Sequence, residues 1–330
     1  MATGQIVVSA NTLTAGIRSE FANTYKASYD VVKTRLANVM ELGVPSSRLT
    51  ELYAYYESAP QARLWTRGDA IPVDEFSSVQ FSVTNRDFGI RIEWQEQDRE
   101  DDQTRSLMDR ARDAGRSFAQ LPERVLFQYM TGATDPDLMP AIPNAPDGAA
   151  LYSTTDGAGG ARFGITNGNL LTGTGVATSA AVRTDFFSAI DQVRGFQDTK
   201  GAPLWNDSIL ESGWTVIYGV HNDQTFREAF IQGRTLDGGA ALTNIILDSG
   251  LKVSLWATQR IGTGDDDWFI FANTPGKRAM FQQVRRTLRE SYGNMSNSDS
   301  ARQTKVEHIQ WDERSGYGVA LPYQTVKVNN

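Results

Sequence analysis

Residues 79–94 read VQFSVTNRDFGIRIEW. Val79, Phe81 and Val83 alternate with polar residues, Asn85-Arg86-Asp87 interrupts, and Phe88, Ile90, Ile92 and Trp94 alternate again. Period-2 patterning on both sides of a turn triplet predicts a β-hairpin with one apolar edge. After the acidic stretch Arg99-Glu100-Asp101-Asp102 the period changes. Leu107, Ala111, Ala114, Phe118, Leu121, Val125 and Tyr129 recur every three or four residues, which predicts a helix over 103–132. An isolated hairpin is marginal in water, and the chain around this one offers little to cover its apolar face. The pattern therefore predicts packing on a neighbouring subunit.

The flanking segments extend this alternation of strands and helices. Residues 11–42 read as a helix with Asn11 or Thr12 as cap and Gly43 with Pro45 as its end. Leu13, Ile17, Phe21, Tyr25, Tyr29, Val32, Leu36 and Val39 form a seam close to a heptad repeat. That seam suits a helix on its own core and equally an arm laid across a partner. Pro122 either kinks the 103–132 helix or opens a second one, since proline is at home in a first turn. Residues 132–175, rich in proline and glycine, read as a surface excursion. Beyond them the sequence predicts a helix over 178–196, a strand over 214–220, a helix over 223–231, and strands over 251–256 and 268–272. Residues 278–290 fit a helix or an amphipathic strand. The end reads as two antiparallel strands, 305–312 and 319–328, joined by Ser315-Gly316-Tyr317-Gly318.

Composition narrows the function. At 330 residues, 40% hydrophobic and 22% charged, the chain has ordinary globular content, which excludes a wholly disordered protein. It has no apolar run of the ~18 residues a membrane span needs. Residues 1–8 lack a basic segment followed by an apolar core, so the expectation is synthesis and use in a cytoplasm. Cysteine is absent, which removes disulfides, thiolate metal sites and cysteine nucleophiles together. His221 and His308 are the only histidines, too few for a multi-histidine metal site. A net charge of −7 disfavours a nucleic-acid-gripping module, because phosphate contacts need clustered Lys and Arg. It is compatible with a wall that encloses DNA and lets it slide.

No motif carries chemistry. Asp87-Phe88-Gly89 spells the kinase metal-binding triplet without a catalytic loop or a glycine-rich loop upstream. Gly276-Lys277-Arg278 lacks the spacing of a phosphate-binding loop. Asp265-Asp266-Asp267 has carboxylates but no regular ligand spacing, and reads as an exposed acidic turn. Glu93 with Glu96, or Asp101 with Asp102, could pair as acid and base, but nothing in sequence sets their separation. His221, between a strand and a helix, reads as a turn residue. No catalytic, cofactor-binding or metal-binding residue is assigned.

Taken in order, the parts resemble the major capsid proteins of tailed phages with the Hong Kong 97-type capsid fold, and within them the Mu-type major head subunit. The resemblance rests on Thr12-Leu13 to Phe21, on Trp65-Thr66-Arg67-Gly68 before the hairpin, and on Arg99-Glu100-Asp101-Asp102 after it. Gly115-Arg116-Ser117, the run Pro122 to Phe127, Leu151-Tyr152-Ser153 and Asn167 to Leu171 continue it. It implies an α+β fold with an N-terminal arm (1–60), an E-loop hairpin (61–100) and a peripheral domain (101–179) built on a spine helix (103–132). An axial domain (180–275) and return strands to the peripheral domain (276–330) complete it. It further implies a virion subunit without enzymatic activity, assembled in a host cytoplasm. Hexamers and pentamers would close an icosahedral shell around double-stranded DNA, with no sequence-specific contact, and scaffold, portal and decoration proteins would be its partners. Subunit contacts would fall on the E-loop tip, Asn85, Arg86, Asp87 and Phe88, and on the arm, Phe21, Tyr25 and Tyr29. Some capsids of this fold join subunits covalently through an E-loop lysine; residues 74–95 contain none, which predicts noncovalent locking. An encapsulin-like cellular compartment and a carboxylate-dependent soluble hydrolase are the competing readings.

Overall fold

The computed structural model describes residues 10–330 apart from 59–61, 63, 68–69, 71–77, 96–105, 206–212, 238–239, 275 and 295–296, and apart from the side chains of 10–13 and 234–243. The acidic stretch Arg99–Asp102, Glu96, Pro60 and Gly68 lie outside the described residues. The first half of the chain forms helix α1 (Ala10–Leu36), strands β1 (Met40–Pro45), β2 (Thr50–Tyr56), β3 (Ser78–Thr84) and β4 (Arg86–Gln95), and helices α2 (Ser106–Ala119) and α3 (Leu121–Thr131). After a long loop come β5 (Leu170–Thr172), α4 (Ser179–Arg194), β6 (Trp214–Gly219), α5 (Asp223–Phe230), the hairpin β7 (Arg234–Asp237) and β8 (Ala240–Thr243), and the single turn α6 (Ile245–Asp248). The chain ends with β9 (Val253–Thr258), β10 (Trp268–Ala272), β11 (Met280–Gly293), α7 (Asp299–Thr304), β12 (Val306–Val319) and β13 (Thr325–Asn329).

Two sheets organise these elements. The first has the order β1-β11-β12-β4, with β1 parallel to β11 and the other pairs antiparallel. Its inward residues Ile92, Trp94, Ile309 and Trp311 meet Ile17, Phe21 and Leu36 of α1 and Leu107 and Ala111 of α2 in one core. Helices α1 and α2 touch closely because residue 115 is glycine: a Cβ there would stand 2.7 Å from the Phe21 carbonyl oxygen. The second sheet has the order β5-β13-β10-β6-β9. Its β6 and β10 are buried on both faces, which explains their unbroken apolar runs. Trp214, Val216, Trp268 and Ile270 meet α4 and α5 in a second core, whereas Ile217, Phe269 and Phe271 turn the other way into the first.

Four expectations need correction. The N-terminal helix stops at Leu36, not at residue 42, because Met40 and Glu41 find ladder partners in Met280 and Phe281. The predicted hairpin over 79–94 does not form. Only Asn85 separates β3 from β4, whereas the tightest common hairpin loops hold two residues, so the chain turns a corner and changes partners. β3 pairs with β2, from Thr84 opposite Thr50 to Ser78 opposite Tyr56, and β4 pairs with β12. The spine is two helices, broken at Gln120, not one over 103–132; of the two readings of Pro122 the first-turn one holds, opening α3, and Gly132 closes that helix at φ +73°. Finally, β12 runs unbroken through Ser315-Gly316-Tyr317-Gly318, and β13 joins the second sheet. Those glycines serve close approach, not a turn: a Cβ on Gly316 would lie 2.9 Å from the Thr84 carbonyl, and one on Gly318 2.7 Å from Val83 Cγ2. The open choice at 278–290 resolves as strand β11. Residues 170–172 and 325–329 join the sheet built from 214–272, so the strands do not respect boundaries at 179 and 276.

Candidate subunit interface

The extended hairpin of this chain is β2–β3, and its two faces differ. Tyr53, Tyr55, Phe81 and Val83 alternate toward the body of the protein, while Leu52, Ala54 and Tyr56 alternate away, beside Ser82, Gln80 and Ser78. Leu52 is 65% exposed and Tyr56 63%; Leu49 before β2 and Leu64 and Trp65 beyond it are exposed as well. Residues 49–65 thus hold half of the exposed large apolar side chains among the described residues, the others being Val31, Val220, Ile231, Ile245 and Leu247, and the outer face of the ribbon is a candidate association surface.

The root of the ribbon is held by polar groups. Gln283 on β11 is fully buried; its amide donates to the Val83 carbonyl (3.0 Å) and to Asn85 Oδ1 (2.9 Å), and its Oε1 accepts from the Tyr53 hydroxyl (2.8 Å). Asn85 donates to Ser46 Oγ and to the Arg48 carbonyl, both at 2.7 Å. The turn before β2 is tied by Glu51, which accepts from the backbone N–H groups of Ser47 (2.7 Å) and Arg48 (2.8 Å). Those two bonds hold its carboxyl below the usual range. Rings complete the anchor: Phe281 meets Tyr53 edge-on at 4.9 Å and Phe81 at 6.5 Å. Beneath the ribbon lies a cleft of about 280 Å³ lined by Tyr53, Tyr55, Phe81, Phe281, Leu321 and Tyr323.

The residues expected at a hairpin tip sit elsewhere. Asn85 is only 3% exposed and makes its hydrogen bonds within the internal corner. Phe88 leans against the Tyr317 ring at 6.1 Å, and Arg86 is half-buried. Asp87 is exposed, but on the open face of the first sheet, where Arg286 (3.2 Å) and Arg314 (3.8 Å) pair with it. On α1, Phe21 is buried in this chain's own core against Trp311, and Tyr25 and Tyr29, half-buried, stack along the helix at 5.5 Å. The surface-bearing residues Leu49, Leu52, Tyr56 and Leu64 are not among those the sequence singled out. The alternation Leu52-Tyr53-Ala54-Tyr55-Tyr56 carried the signal, since it splits into an outer and an inner row.

One buried side chain ties several parts of the long loop after α3 together. Arg162 is 1% exposed; its guanidinium pairs with Asp147 at 2.6 Å and donates to the Ala150 and Leu151 carbonyls and to Asn169 Oδ1. His221 lies 3.2 Å from Asp266, and Asp267 pairs with Lys327, so the acidic turn is engaged within the chain. Among the described residues no group of three or more His, Asp or Glu is arranged to hold a metal ion.

Residues 11–137 match the family model of the Mu-like prophage major head subunit gpT. None of the curated proteins matches the sequence. Among solved structures, the capsid of the cyanophage P-SCSP1u aligns with 89% of this chain and 87% of its own at 12% identity and a TM-score of 0.55. The capsid of the Myoviridae phage XM1 aligns with 89% and 90% at 10% identity and a TM-score of 0.56. The virus-like particle from Pyrococcus furiosus aligns with 93% and 96% at 10% identity and a TM-score of 0.51. Residues 11–137 thus carry the likeness to the Mu-like major head subunit, while the chain through most of its length has the Hong Kong 97-type fold of these capsid structures.

Proposed function

We infer that this protein is the major capsid subunit of a tailed-phage head, whose copies close into an icosahedral shell of hexamers and pentamers around double-stranded DNA. The observation that carries the reading is the head-subunit match over 11–137, which spans α1, both strands of the β2–β3 ribbon and the two spine helices. The ribbon's outer face would lie on the adjacent copy. Head-to-tail contacts of this kind build rings when the rotation closes. A stable contact of about 1,600 Å² is ordinary, and several per subunit would make free monomers rare. The role is structural, and the net charge of −7 suits an enclosure that does not grip its DNA. Assembly in a host cytoplasm, with scaffold, portal and decoration proteins contributed by other chains, belongs to the same proposal.

The fold alone is shared with the Pyrococcus furiosus particle, so a cellular compartment would use the same architecture; the family match favours the phage head. Sedimentation and electron microscopy of the purified chain test the reading. Closed shells of megadalton mass are expected, and a discrete small oligomer would contradict it.

A further inference from the structure

The helix α1 lies over a buried carboxyl that no described residue neutralises. Inward positions of β12 alternate, so Trp311, beneath Phe21, is followed two residues later by Glu313 on the same face. Two strand residues advance about 6.7 Å and four helical residues about 6 Å, so the strand and helix keep step and Glu313 falls under Tyr25 and Tyr29. Glu313 is 7% exposed. The groups facing it are Tyr25 and Tyr29 from α1, Tyr317 and Ser315 from β12, and Gln282 from β11, with Arg86 of β4 nearby acting on Tyr129. Phe118 of α2, edge-on to Tyr25 at 6.2 Å, brings no charge. The Gln282 amide donates to Glu313 Oε1 at 3.2 Å and to the Tyr317 hydroxyl at 3.1 Å, while its own Oε1 is buried without a donor. The buried carboxyl thus has the Gln282 amide as its hydrogen-bond donor and meets no cation among the described residues, conditions under which its ionised form is penalised.

We propose that Glu313 is a proton-operated latch for the N-terminal helix: neutral, it lets α1 lie closed on the sheet, and ionised, it draws water beneath Tyr25 and Tyr29 and loosens the helix. Burial pushes the Glu313 carboxyl above the usual carboxylate range, against the hydroxyl of Ser315 and the amide of Gln282. The folded state then holds a proton that the unfolded state has released. The stabilisation is complete below the ordinary glutamate pKa and is lost as pH rises through the raised one. The latch rests on this chain's own packing and stands apart from the shell reading.

Hydrogen exchange of the full chain, followed across pH in one assembly state, tests it. Protection of α1 amides, corrected for intrinsic exchange, is expected to fall by up to about tenfold per pH unit through the transition, whereas α4 amides in the other core stay level. Glu313→Gln keeps the size of the side chain and should hold α1 protected throughout. Gln282→Met removes an amide donor from the carboxylate and should move the fall to higher pH. Wild-type α1 protection that ignores pH, a Glu313→Gln profile identical to wild type, or an unmoved fall in Gln282→Met would each overturn the latch.

Discussion

Phe21 of α1 and Trp311 of β12 lie face to face, their ring centroids 3.8 Å apart and their planes 4° from parallel. The contact joins the first helix to a strand near the end of the chain, so α1 is a wall of the first core. Truncating Phe21 to alanine leaves a cavity at that contact and should cost about 3–5 kcal/mol, read by denaturant unfolding of unassembled subunit. A loss below about 1 kcal/mol would mean that α1 packs elsewhere in solution.

Gly115 sets how near α1 and α2 can come. A side chain there meets the Phe21 carbonyl and the Tyr25 backbone nitrogen, neither of which can rotate away. Gly115→Val should destabilise by about 1–3 kcal/mol through overpacking, measured as a lower thermal midpoint. An unchanged midpoint would show that the helices have room to part.

The outer row of the ribbon makes no contribution to either core. Leu52→Asp with Tyr56→Asp should therefore leave the circular dichroism of the subunit unchanged and abolish particles in the electron microscope. Normal shells from that variant would remove the ribbon from the interface.

Arg162 answers four acceptors inside the long loop. Arg162→Met strands Asp147 and the Ala150 carbonyl, while Leu151 keeps its bond from Asn169, and should cost about 3–5 kcal/mol, the scale for breaking a buried pair from one side. Earlier proteolytic cutting between 145 and 170 would report the same loss, and resistance equal to wild type would count against it.

With the hairpin now placed at 50–84, the absence of lysine still holds, because no lysine occurs between Lys33 and Lys200. Mature particles should run as a single monomer band under denaturing electrophoresis. A ladder of high-mass bands would disprove noncovalent locking through this loop.

Legibility in the sequence followed the range of the forces involved. The periods of α2, α4, β6 and β10 were readable because burial repeats along each element, and Pro122 and Gly132 marked helix ends by their own backbone limits. Strand partners were not readable. The alternation on both sides of Asn85 is real, yet each strand buries its apolar row against a different partner. The same holds for Gly316 and Gly318, whose turn-like composition answers a crossing strand more than 230 residues earlier in the chain.

The sequence by itself determined the class of fold, the order of arm, ribbon, spine and second sheet, and the absence of cysteine from the chain and of lysine from the ribbon. The tertiary structure alone decided which strands pair into the ribbon, that Phe21 faces inward, and that Glu313 meets no cation among the described residues. Periodicity is a property of one segment and survives in the linear text. Pairing, burial and charge compensation are set by segments that meet only after folding.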